Sequence, residues 1–436
     1  MDTLVTLTNK VEESQSSNWN NQSLSPSRAN ACRCCGWSLH ETFADLGVTP
    51  MANALLQPGT ADGAEPLYPL HAYVCDNCYL VQLAAFESPQ EIFGDYLYFS
   101  SFSDSWLKHA ESYAGQMIDR FGLGTESLVV EVASNDGYLL QYFKKRGIPV
   151  LGVDPAANVA ASAVAKGIET DVAFFGVETA QRLRSRGLSP KLMVANNVLA
   201  HVPDLHDFVE GFRVLLAVEG VATFEFPHLL RLMQQNQFDT IYHEHFSYLS
   251  FAVVQRLFAQ HGLTLFDVEE LPTHGGSLRI YVRHATNDAL PITPAVAKMI
   301  QIEDQAGLSD IATYREFTAC IVGCKLSLVE FLLDARRRGK QVAAYGAPAK
   351  GNTLLNYCGI GPDLIAFTVD RNPHKQGLLL PGTRIPICDP SLVRELKPDY
   401  LLVLPWNLRH EIAEQMADIR EWGGQFVVAI PQLEVF

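Results

Sequence analysis

The strongest constraint on the fold is a repeated pattern of a short apolar strand, a tight turn and an amphipathic helix. The first copy runs from a strand over 127–132 through the turn 133–137 to a helix that begins near 138. The second copy has a strand over 148–154 and a helix that opens at Asn158. Consecutive units of this kind build a parallel sheet with helices on both faces. The sequence therefore predicts a doubly wound α/β domain.

Polar side chains follow the carboxyl ends of these strands, where open α/β sheets bind their ligands. The turn Ala-Ser-Asn-Asp-Gly over 133–137 contains one glycine, which disfavours a nicotinamide dinucleotide, because a pyrophosphate needs several glycines for close backbone approach. Asp136 would repel a pyrophosphate but suits the amino group of S-adenosylmethionine. Asp154, 23 residues after Glu131, can accept hydrogen bonds from ribose hydroxyls. We predict an S-adenosylmethionine site formed by Glu131, Ala133, Asn135, Asp136, Gly137, Asp154, Asn196 and Asn197.

Two Cys-x-x-Cys pairs predict a structural zinc site. Cys32 with Cys35 and Cys75 with Cys78 supply the four thiolates of a closed tetrahedral site. The 39 residues between the pairs exceed the spacing of an ordinary zinc ribbon, so an inserted hairpin or loop must fill the gap. Disulfides are disfavoured by the expected cytoplasmic setting, and a redox motif by the absence of a thioredoxin-like flank. Cys34 is interpreted as a bystander or an alternate ligand.

Charge and length exclude several classes of protein. With 33 basic and 48 acidic residues the net charge is −15, which disfavours general affinity for nucleic acid or anionic membrane. No run of eighteen apolar residues exists to span a bilayer. Residues 1–30 are rich in Ser and Asn and lack the apolar core of a signal peptide. We expect a disordered tail there, in a cytoplasmic protein of two or three domains.

The segment 241–248, Ile-Tyr-His-Glu-His-Phe-Ser-Tyr, concentrates titratable side chains downstream of the predicted cofactor site. Histidine titrates nearest neutral pH, so a histidine beside a carboxylate that can orient it is a candidate general base. His201, which follows the strand 191–197, falls on the same ligand side of the predicted sheet.

The last third of the chain carries a second α/β pattern. A helix over 321–335 precedes a strand over 342–345 and the glycine-containing loop 346–353. A P-loop needs its lysine after the second glycine, whereas Lys350 precedes Gly351. We interpret the loop as a helix N-terminus that contacts a diphosphate through backbone amides and one lysine. A domain that serves only as a scaffold is the alternative.

Several ordered motifs together carry a family resemblance. They are Cys32-Arg33-x-Cys35-Gly36, Cys75-x-x-Cys78, Glu-Val-Ala-Ser-Asn-Asp-Gly at 131–137, Tyr-His-Glu-His-Phe-Ser-Tyr-Leu-Ser at 242–250, His-Gly-Gly-Ser-Leu-Arg at 274–279 and Tyr-Gly-Ala-Pro-Ala-Lys-Gly-Asn-Thr at 345–353. The combination resembles the nucleotide-sugar C-methyltransferases, including the deoxysugar C-3 methyltransferases of the mycarose and tetronitrose type. It covers nearly everything after residue 31.

This resemblance implies an α/β protein with three folded domains. They are a small N-terminal zinc-binding domain (31–86), a central class I Rossmann-like methyltransferase domain (87–290) and a C-terminal Rossmann-like α/β domain that binds the nucleotide sugar (291–436). Methyltransferases of the central fold usually have glycines at the positions of Ala133 and Asn135. Asn tolerates the left-handed conformation that such a turn requires better than most residues do.

The implied reaction is methylation of a ring carbon beside a ketone, usually C-3 next to C-4, in a dTDP- or GDP-linked keto-deoxysugar. Residues on the family's active-site positions are Tyr96, His201, Tyr242, Glu244 and His245. A carbon attacks a methylsulfonium only as an enolate, so a base and donors to the oxyanion are required. We favour His245 as the base and Glu244 as its orienter or a sugar ligand, although Tyr242, His201 and His245 could exchange roles.

The residues expected to contact the substrate are His274, Gly275, Lys350, Asn352, Arg371 and Lys375. We expect a monomer or weak dimer that binds neither nucleic acid nor membrane. Alternative functions are O- or N-methylation of another small metabolite and non-catalytic binding of a sugar nucleotide. A zinc-ribbon nucleic-acid methyltransferase is a weaker fourth hypothesis.

Overall fold

The computed structural model describes residues 31–60, 63–85, 99–102 and 104–436. Within these ranges the strands form three sheets of four, seven and six strands. The expected disordered tail over 1–30 and the predicted active-site residue Tyr96 lie outside the described residues. None of the helices in the described part of the chain is long and apolar enough to cross a membrane.

The first sheet lies beside the four predicted zinc ligands and includes one strand from the middle of the chain. Its strands are β1 (Glu41–Thr49), β2 (Tyr68–Val74), β3 (Val81–Leu83) and β9 (Ser247–Tyr248), in the order β1-β2-β3-β9. All neighbours are antiparallel. Because β9 lies within the histidine-rich segment 241–248, this segment forms an edge of the zinc-binding sheet.

The central sheet is doubly wound. Its strands are β4 (Val129–Val132), β5 (Val150–Val153), β6 (Thr170–Asp171), β7 (Leu192–Asn196), β8 (Val221–Pro227), β10 (Leu263–Leu271) and β11 (Ser277–His284). Its helices are α1 (Asp104–Phe121), α2 (Leu140–Lys145), α3 (Ala157–Ala165), α4 (Val177–Ser185), α5 (Leu205–Leu215), α6 (Leu229–Gln234) and α7 (Phe251–Gln260). The order is β10-β11-β8-β7-β4-β5-β6 with β11 antiparallel to both neighbours. The winding reverses between β4 and β7, which opens a crevice at their carboxyl ends.

The third sheet repeats this plan. Its strands are β12 (Val342–Tyr345), β13 (Thr368–Val369), β14 (Ile387–Cys388), β15 (Tyr400–Val403), β16 (Gln425–Val428) and β17 (Glu434–Val435). The accompanying helices are α8 (Pro294–Gln305), α9 (Ile311–Arg337), α10 (Ala349–Cys358), α11 (Ser391–Leu396) and α12 (Arg409–Gln415). The order β14-β13-β12-β15-β16-β17 places a second switch point between β12 and β15. The predicted α/β class with a Rossmann-like C-terminal unit is confirmed.

Local sequence accounts for where key helices begin. Asp204 accepts a hydrogen bond from the Asp207 amide at the start of α5, and Ser250 accepts one from the Val253 amide at the start of α7. Asp310 caps α9 in the same way. Such caps satisfy amides that the first helical turn leaves unpaired. The cap at Asp310 also explains why α9 begins ten residues before the predicted start at 321.

Helix α9 joins the first and third sheets. Its buried side chains recur at three- and four-residue spacing and include Tyr314, Phe317 and Ile321. Phe317 stacks on Phe43 of β1 with ring centroids 4.8 Å apart, and Tyr314 meets the same ring edge-on. These residues belong to one core that extends from β1 to β16. The zinc-binding sheet is therefore packed firmly against the C-terminal unit.

Helix α8, which the sequence assigned to the C-terminal domain, contacts the central unit. Its buried residue Glu303 accepts hydrogen bonds from the Phe251 and Ala252 amides at the start of α7, at 2.5 and 2.9 Å. The same carboxylate contacts His228 Nε2 at 2.7 Å. His228 is 1% exposed and joins the central unit to α8 through this contact.

Candidate active site and metal site

The four predicted cysteines converge on one point. The sulfur atoms of Cys32, Cys35, Cys75 and Cys78 all lie within 4.8 Å of one another. The Cys32–Cys78 and Cys35–Cys75 sulfur separations are 3.5 and 3.6 Å, close to the ~3.8 Å edge of a tetrahedron with Zn–S bonds of ~2.3 Å. A disulfide would bring two sulfurs to ~2.05 Å. The arrangement fits a closed structural zinc site.

Neighbouring side chains support thiolate at this site. Gln82 Nε2 donates to Cys32 Sγ at 3.1 Å, and Asn77 Nδ2 donates to Cys35 Sγ at 3.5 Å. Such outer donors orient ligands and stabilise their negative charge. Cys34 is buried but does not belong to the group of mutually close sulfurs. The bystander interpretation of Cys34 therefore fits the geometry.

The turn after β4 adopts the backbone that a glycine-rich turn would have. Ala133, Asn135 and Gly137 have φ of 57°, 49° and 77°, all in the left-handed region that most residues avoid. At Gly137 an added Cβ would also lie 2.5 Å from an Ile168 methyl. Ala133 and Asn135 thus adopt the conformation for which other proteins of this fold use glycine.

Buried acceptors without partners gather around this turn and the end of β7. The Tyr138 hydroxyl lies against the buried Glu131 carboxylate. Within the described residues, a hydrogen-bond partner is lacking for Asp136 Oδ1. The side-chain oxygens of Asn196 and Asn197 also lack hydrogen-bond partners in the part of the chain that the structure describes. Burial raises the pKa of Glu131 well above its usual range. Unpaired buried acceptors are costly, and a ligand carrying an ammonium group and hydroxyls would satisfy them. The set fits S-adenosylmethionine.

The two aspartates of this region already have protein partners. Asp154 accepts the Asn135 amide at 2.8 Å and the Ala156 amide at 2.9 Å, one at each oxygen. Each oxygen keeps a further lone pair, so bonds to ribose hydroxyls remain possible. Asp136 forms an ion pair with Lys166 at 2.9 Å and accepts a bond from Ser101 Oγ. Asp136 therefore presents Oδ1 alone to a ligand.

Two histidines form the centre of the candidate catalytic site. The His201 and His245 rings lie 4.6 Å apart, edge to face. His201 Nδ1 donates to the Glu244 carbonyl at 2.8 Å, and His245 Nδ1 donates to the Thr240 carbonyl at 2.9 Å. Because Nδ1 carries the proton in both rings, Nε2 is the basic nitrogen of each neutral imidazole. Desolvation lowers the pKa of His201 to about 4 and that of His245 well below its ordinary value.

Tyr242 and Glu244 flank the histidine pair in different ways. The Tyr242 ring packs on the His245 ring at 4.0 Å. Glu244 meets His201 through its backbone carbonyl, while its Oε1 accepts a hydrogen bond from Asn53 Nδ2 at 2.6 Å. Burial raises the pKa of Glu244. The structure therefore orients His245 through a backbone carbonyl, and Thr240 supplies a contact that sequence reasoning missed.

The C-terminal switch point docks on the turn that holds His245. Lys350 Nζ contacts Asn407 Oδ1 at 2.6 Å and lies 4.6 Å over the Trp406 ring. Trp406 Nε1 donates to the buried Asp239 at 2.8 Å, next to Thr240. The ends of β12 and β15 thus lie against the central unit's histidine site. Asp239, Trp406 and Asn407 had no sequence signal, because nothing in their local pattern reveals a contact between distant segments.

The remaining predicted substrate residues occupy different settings. His274 faces the cleft, with Nε2 3.4 Å from Asn197 Nδ2 and its ring 5.4 Å from that of Trp106. Gly275 permits close packing, since an added Cβ would lie 2.6 Å from Trp406. Asn352 is 1% exposed, and its amide donates to the Ala52 carbonyl at 3.0 Å.

Arg371 and Lys375 follow β13. Arg371 is exposed and lines a crevice of about 530 Å³ at the carboxyl edge of the third sheet. Lys375 Nζ donates to the Ala347 carbonyl at 2.8 Å, while Asp370 accepts the Ala347 amide at 2.8 Å. Lys375 thus braces the glycine-containing loop, and Arg371 presents its charge outward.

Comparisons with known proteins match three consecutive parts of the chain to three protein families. Residues 32–93 match a zinc binding domain family, residues 106–268 a family described as methyltransferase domain, and residues 272–431 one described as C-methyltransferase C-terminal domain. The C-methyltransferase NovU of Streptomyces niveus is 39% identical over 407 residues, which are 93% of this chain and 96% of that protein.

Solved structures of methyltransferases resemble part of the chain. An S-adenosylmethionine-dependent methyltransferase from Mesorhizobium loti is 15% identical and matches with a TM-score of 0.32 over 41% of this chain and 100% of its own. One from Clostridium acetobutylicum is 12% identical, with a TM-score of 0.33 over 41% and 92%.

Replacing a zinc ligand should release the metal. We expect Cys75→Ser to retain less than about a fifth of a zinc ion per chain after dialysis against a chelator, because three thiolates hold the ion more weakly than four. Elemental analysis measures the metal, with Cys320→Ser as control because Cys320 is exposed and outside the site. Equal zinc in both variants would contradict the assignment.

Replacing the Glu131 carboxyl group with an amide should weaken cofactor binding. We expect Glu131→Gln to reduce the affinity for S-adenosylmethionine by roughly 10- to 100-fold, since one acceptor oxygen becomes an N–H donor and a buried polar group left without its partner costs about 1–3 kcal/mol. Titration calorimetry gives the dissociation constant. The control is Glu126→Gln, because Glu126 is exposed on the loop before the same strand. Binding by Glu131→Gln within threefold of the unmodified protein would remove Glu131 from the site.

Proposed function

Because the chain belongs to the C-methyltransferase family, and transfers a methyl group from S-adenosylmethionine to carbon, we propose that its substrate is a nucleotide-linked keto-deoxysugar. The proposed position is C-3 beside a C-4 ketone, in a dTDP- or GDP-linked sugar. The ordered motifs that resemble those of nucleotide-sugar C-methyltransferases support a sugar substrate, and the similarity to NovU along almost the whole chain supports carbon as the acceptor. His201 follows β7, whose end carries Asn196 and Asn197 of the predicted cofactor site, and the His201–His245 pair there also supports carbon as the acceptor.

The observation that carries the proposal is the state of the His201–His245 pair. Both rings donate Nδ1 to backbone carbonyls and direct their basic character to Nε2. Both pKa values are lowered, so the imidazoles are neutral near pH 7. O- or N-methylation starts from an acceptor that already has a lone pair, whereas a sugar carbon must first lose a proton. A neutral base held beside a phenol meets that requirement.

In the proposed mechanism His245 removes the proton from the carbon beside the ketone. Its Nε2 takes the proton, and the imidazolium that forms keeps its Nδ1 contact with the Thr240 carbonyl. The electron pair moves onto the ketone oxygen, where the Tyr242 hydroxyl stabilises the enolate by donating a hydrogen bond. Neutral His201 has its one N–H on the Glu244 carbonyl, so it packs beside His245 without donating to the enolate. Bound S-adenosylmethionine supplies the electrophilic methyl group that the nucleophilic carbon takes up.

Glu244 serves the substrate rather than the base in this scheme. Its carboxylate is buried and directed to Asn53, while its backbone carbonyl orients His201. A sugar hydroxyl can donate to the oxygen that Asn53 leaves available. This assigns Glu244 as a sugar-hydroxyl ligand, one of the two roles that the sequence left open.

The C-terminal unit supplies positive charge for a diphosphate. Lys350 stands in the first turn of α10, where helix amides favour anions. It lies between Trp406 and Asn407, beside the turn that holds His245. Arg371 extends the charge toward the outer crevice. We propose that these groups anchor the nucleotide portion, with the sugar directed at the histidine pair.

The reaction can be tested on dTDP- and GDP-linked 4-keto-6-deoxysugars. We expect a product one methylene heavier by mass spectrometry, and loss of deuterium from the substrate carbon beside the ketone. His245→Asn should lower kcat by at least about 100-fold, the usual contribution of a positioned base. His410→Asn is the control, because His410 is exposed on α12. Product formed without deuterium loss would favour O- or N-methylation, and no product from any such ketone would end the proposal.

The pH profile should reflect the lowered histidine pKa values. An imidazole acts as a base only above its pKa, and burial lowers the pKa of His201 to about 4 and that of His245 well below its ordinary value. We expect kcat/KM to stay constant as the pH falls from 8 to about 6.5, the ordinary pKa of histidine, and to decline only below it. A decline centred at or above that ordinary value would contradict a neutral buried base.

A further inference from the structure

The N-terminal zinc-binding unit contacts the candidate catalytic segment through two side chains, Arg33 and Asn53, to which the sequence assigned no role. Arg33 contacts the backbone that follows His245, and Asn53 contacts the side chain that precedes it. Both residues come from the first sheet's unit, while the histidines come from the central unit. These contacts link the metal site to the reacting centre.

Arg33 closes the junction between β3 and β9. Its Nη1 donates to the Phe246 carbonyl and its Nη2 to the Leu83 carbonyl, each at 2.5 Å. The Leu83 amide donates to the same Phe246 carbonyl at 3.0 Å. The planar fork of a guanidinium can bridge two acceptors at a fixed spacing, which an ammonium cannot do. Arg33 therefore fixes the register of the residue next to His245.

The zinc site determines where this guanidinium lies. Arg33 sits inside the first knuckle, directly after the ligand Cys32. Its backbone amide donates to Gln82 Oε1 at 2.9 Å, and Gln82 Nε2 donates to Cys32 Sγ at 3.1 Å. Gln82 is in turn the β3 partner of Ser247. A knuckle closed on its metal therefore presents Arg33 to the segment in one orientation.

Asn53 fixes the other end of the segment. Its Nδ2 donates to Glu244 Oε1 at 2.6 Å from the loop after β1. The carbonyl of the preceding residue, Ala52, accepts a hydrogen bond from Asn352 Nδ2 of α10 at 3.0 Å. The loop is thus secured by the C-terminal unit while it holds Glu244. Asn352 reaches the site through this loop, which gives it a different role from the substrate contact expected from the sequence.

We propose that Arg33 and Asn53 are positioning residues, through which the zinc-binding domain holds residues 242–248 in the geometry that the reaction needs. The part of this inference that concerns rates rests on the proposed function. The part that concerns the segment's order does not, because it can be measured without any sugar substrate. Small displacements of catalytic groups are enough to lower rates substantially.

The first test compares Arg33→Lys, which keeps the charge but loses the fork, with Arg315→Lys. Arg315 is a matched control, because it forms a fork with Glu41 of the same sheet, far from the segment in sequence and exposed. With S-adenosylmethionine bound, we expect amide hydrogen exchange over 242–248 to become at least about tenfold faster in Arg33→Lys alone. Zinc content and the dissociation constant for S-adenosylmethionine should stay within about twofold of the unmodified protein.

Steady-state kinetics distinguish a positioning role from a general loss of folded enzyme. We expect Arg33→Lys to lower kcat by roughly 10- to 100-fold with KM changed less than about threefold. Asn53→Asp replaces the amide donor with a carboxylate and removes the hydrogen bond to Glu244 Oε1, so amide exchange over 242–248 should become faster and kcat should fall by roughly 10-fold or more. Asn53→Ser, which keeps a donor of smaller size, should show smaller changes in both measurements.

Unchanged exchange over 242–248 in Arg33→Lys would overturn the proposal for Arg33, whatever substrate the enzyme uses. Loss of zinc in that variant would also overturn it, because the residue would then serve the metal site alone. Unchanged exchange over 242–248 in Asn53→Asp would overturn the role of Asn53. Faster exchange in a protein that methylates no keto-sugar would leave the positioning role standing and reject the proposed substrate instead.

Discussion

The antiparallel pairing of β3 with β9 is the interaction on which the candidate site depends. It takes Ser247 and Tyr248 of the central unit into the zinc-binding sheet, starting two residues after His245. Without it the segment would keep its side-chain packing and individual hydrogen bonds but lose its backbone pairing to that sheet. Thr240 fixes the tautomer of His245 at one end, and the pairing fixes the backbone at the other. A short ladder of backbone bonds thereby joins two sequence-distant regions beside His245.

Four histidines fall into two groups that differ in the hydrogen-bond partner of the ring. His109 and His228 each lie against a buried carboxylate, Glu225 and Glu303 respectively. Through these hydrogen bonds His109 joins α1 to β8, and His228 joins the start of α6 to α8. The Nδ1 atoms of His201 and His245 instead face neutral carbonyls, and desolvation lowers the pKa of both rings. Two imidazoles kept neutral are suited to accept a proton, whereas His109 and His228 join elements.

Much of the site was predictable from short sequence patterns. The strands that became β4, β5 and β7 are short apolar runs, and the polar residues that follow them necessarily gather at one sheet edge, which is why Glu131, Asn196 and Asn197 lie together. The two cysteine pairs were predictable because metal ligation demands a fixed spacing within each pair. Asp239, Trp406 and Asn53 were not predictable, since each acts through a contact with a residue far away in the sequence. Glu244 shows the limit most clearly, because its neighbour in sequence is His245 while its side-chain partner is Asn53.

The sequence by itself determined the strand–turn–helix units of the α/β sheets and the zinc ligands, whereas the three-part plan and methyl transfer to carbon were implied by the family resemblance. The units and the ligands follow from hydrophobic period, turn chemistry and ligand spacing, all of which act over a few residues. Only the tertiary structure decided that β9 completes the zinc-binding sheet, that the β12–β15 switch point docks beside His245, and that Arg33 spans Leu83 and Phe246. Such pairings are chosen by the packing of whole sheets and helices against one another, and a local pattern contains no information about which distant surface it will meet.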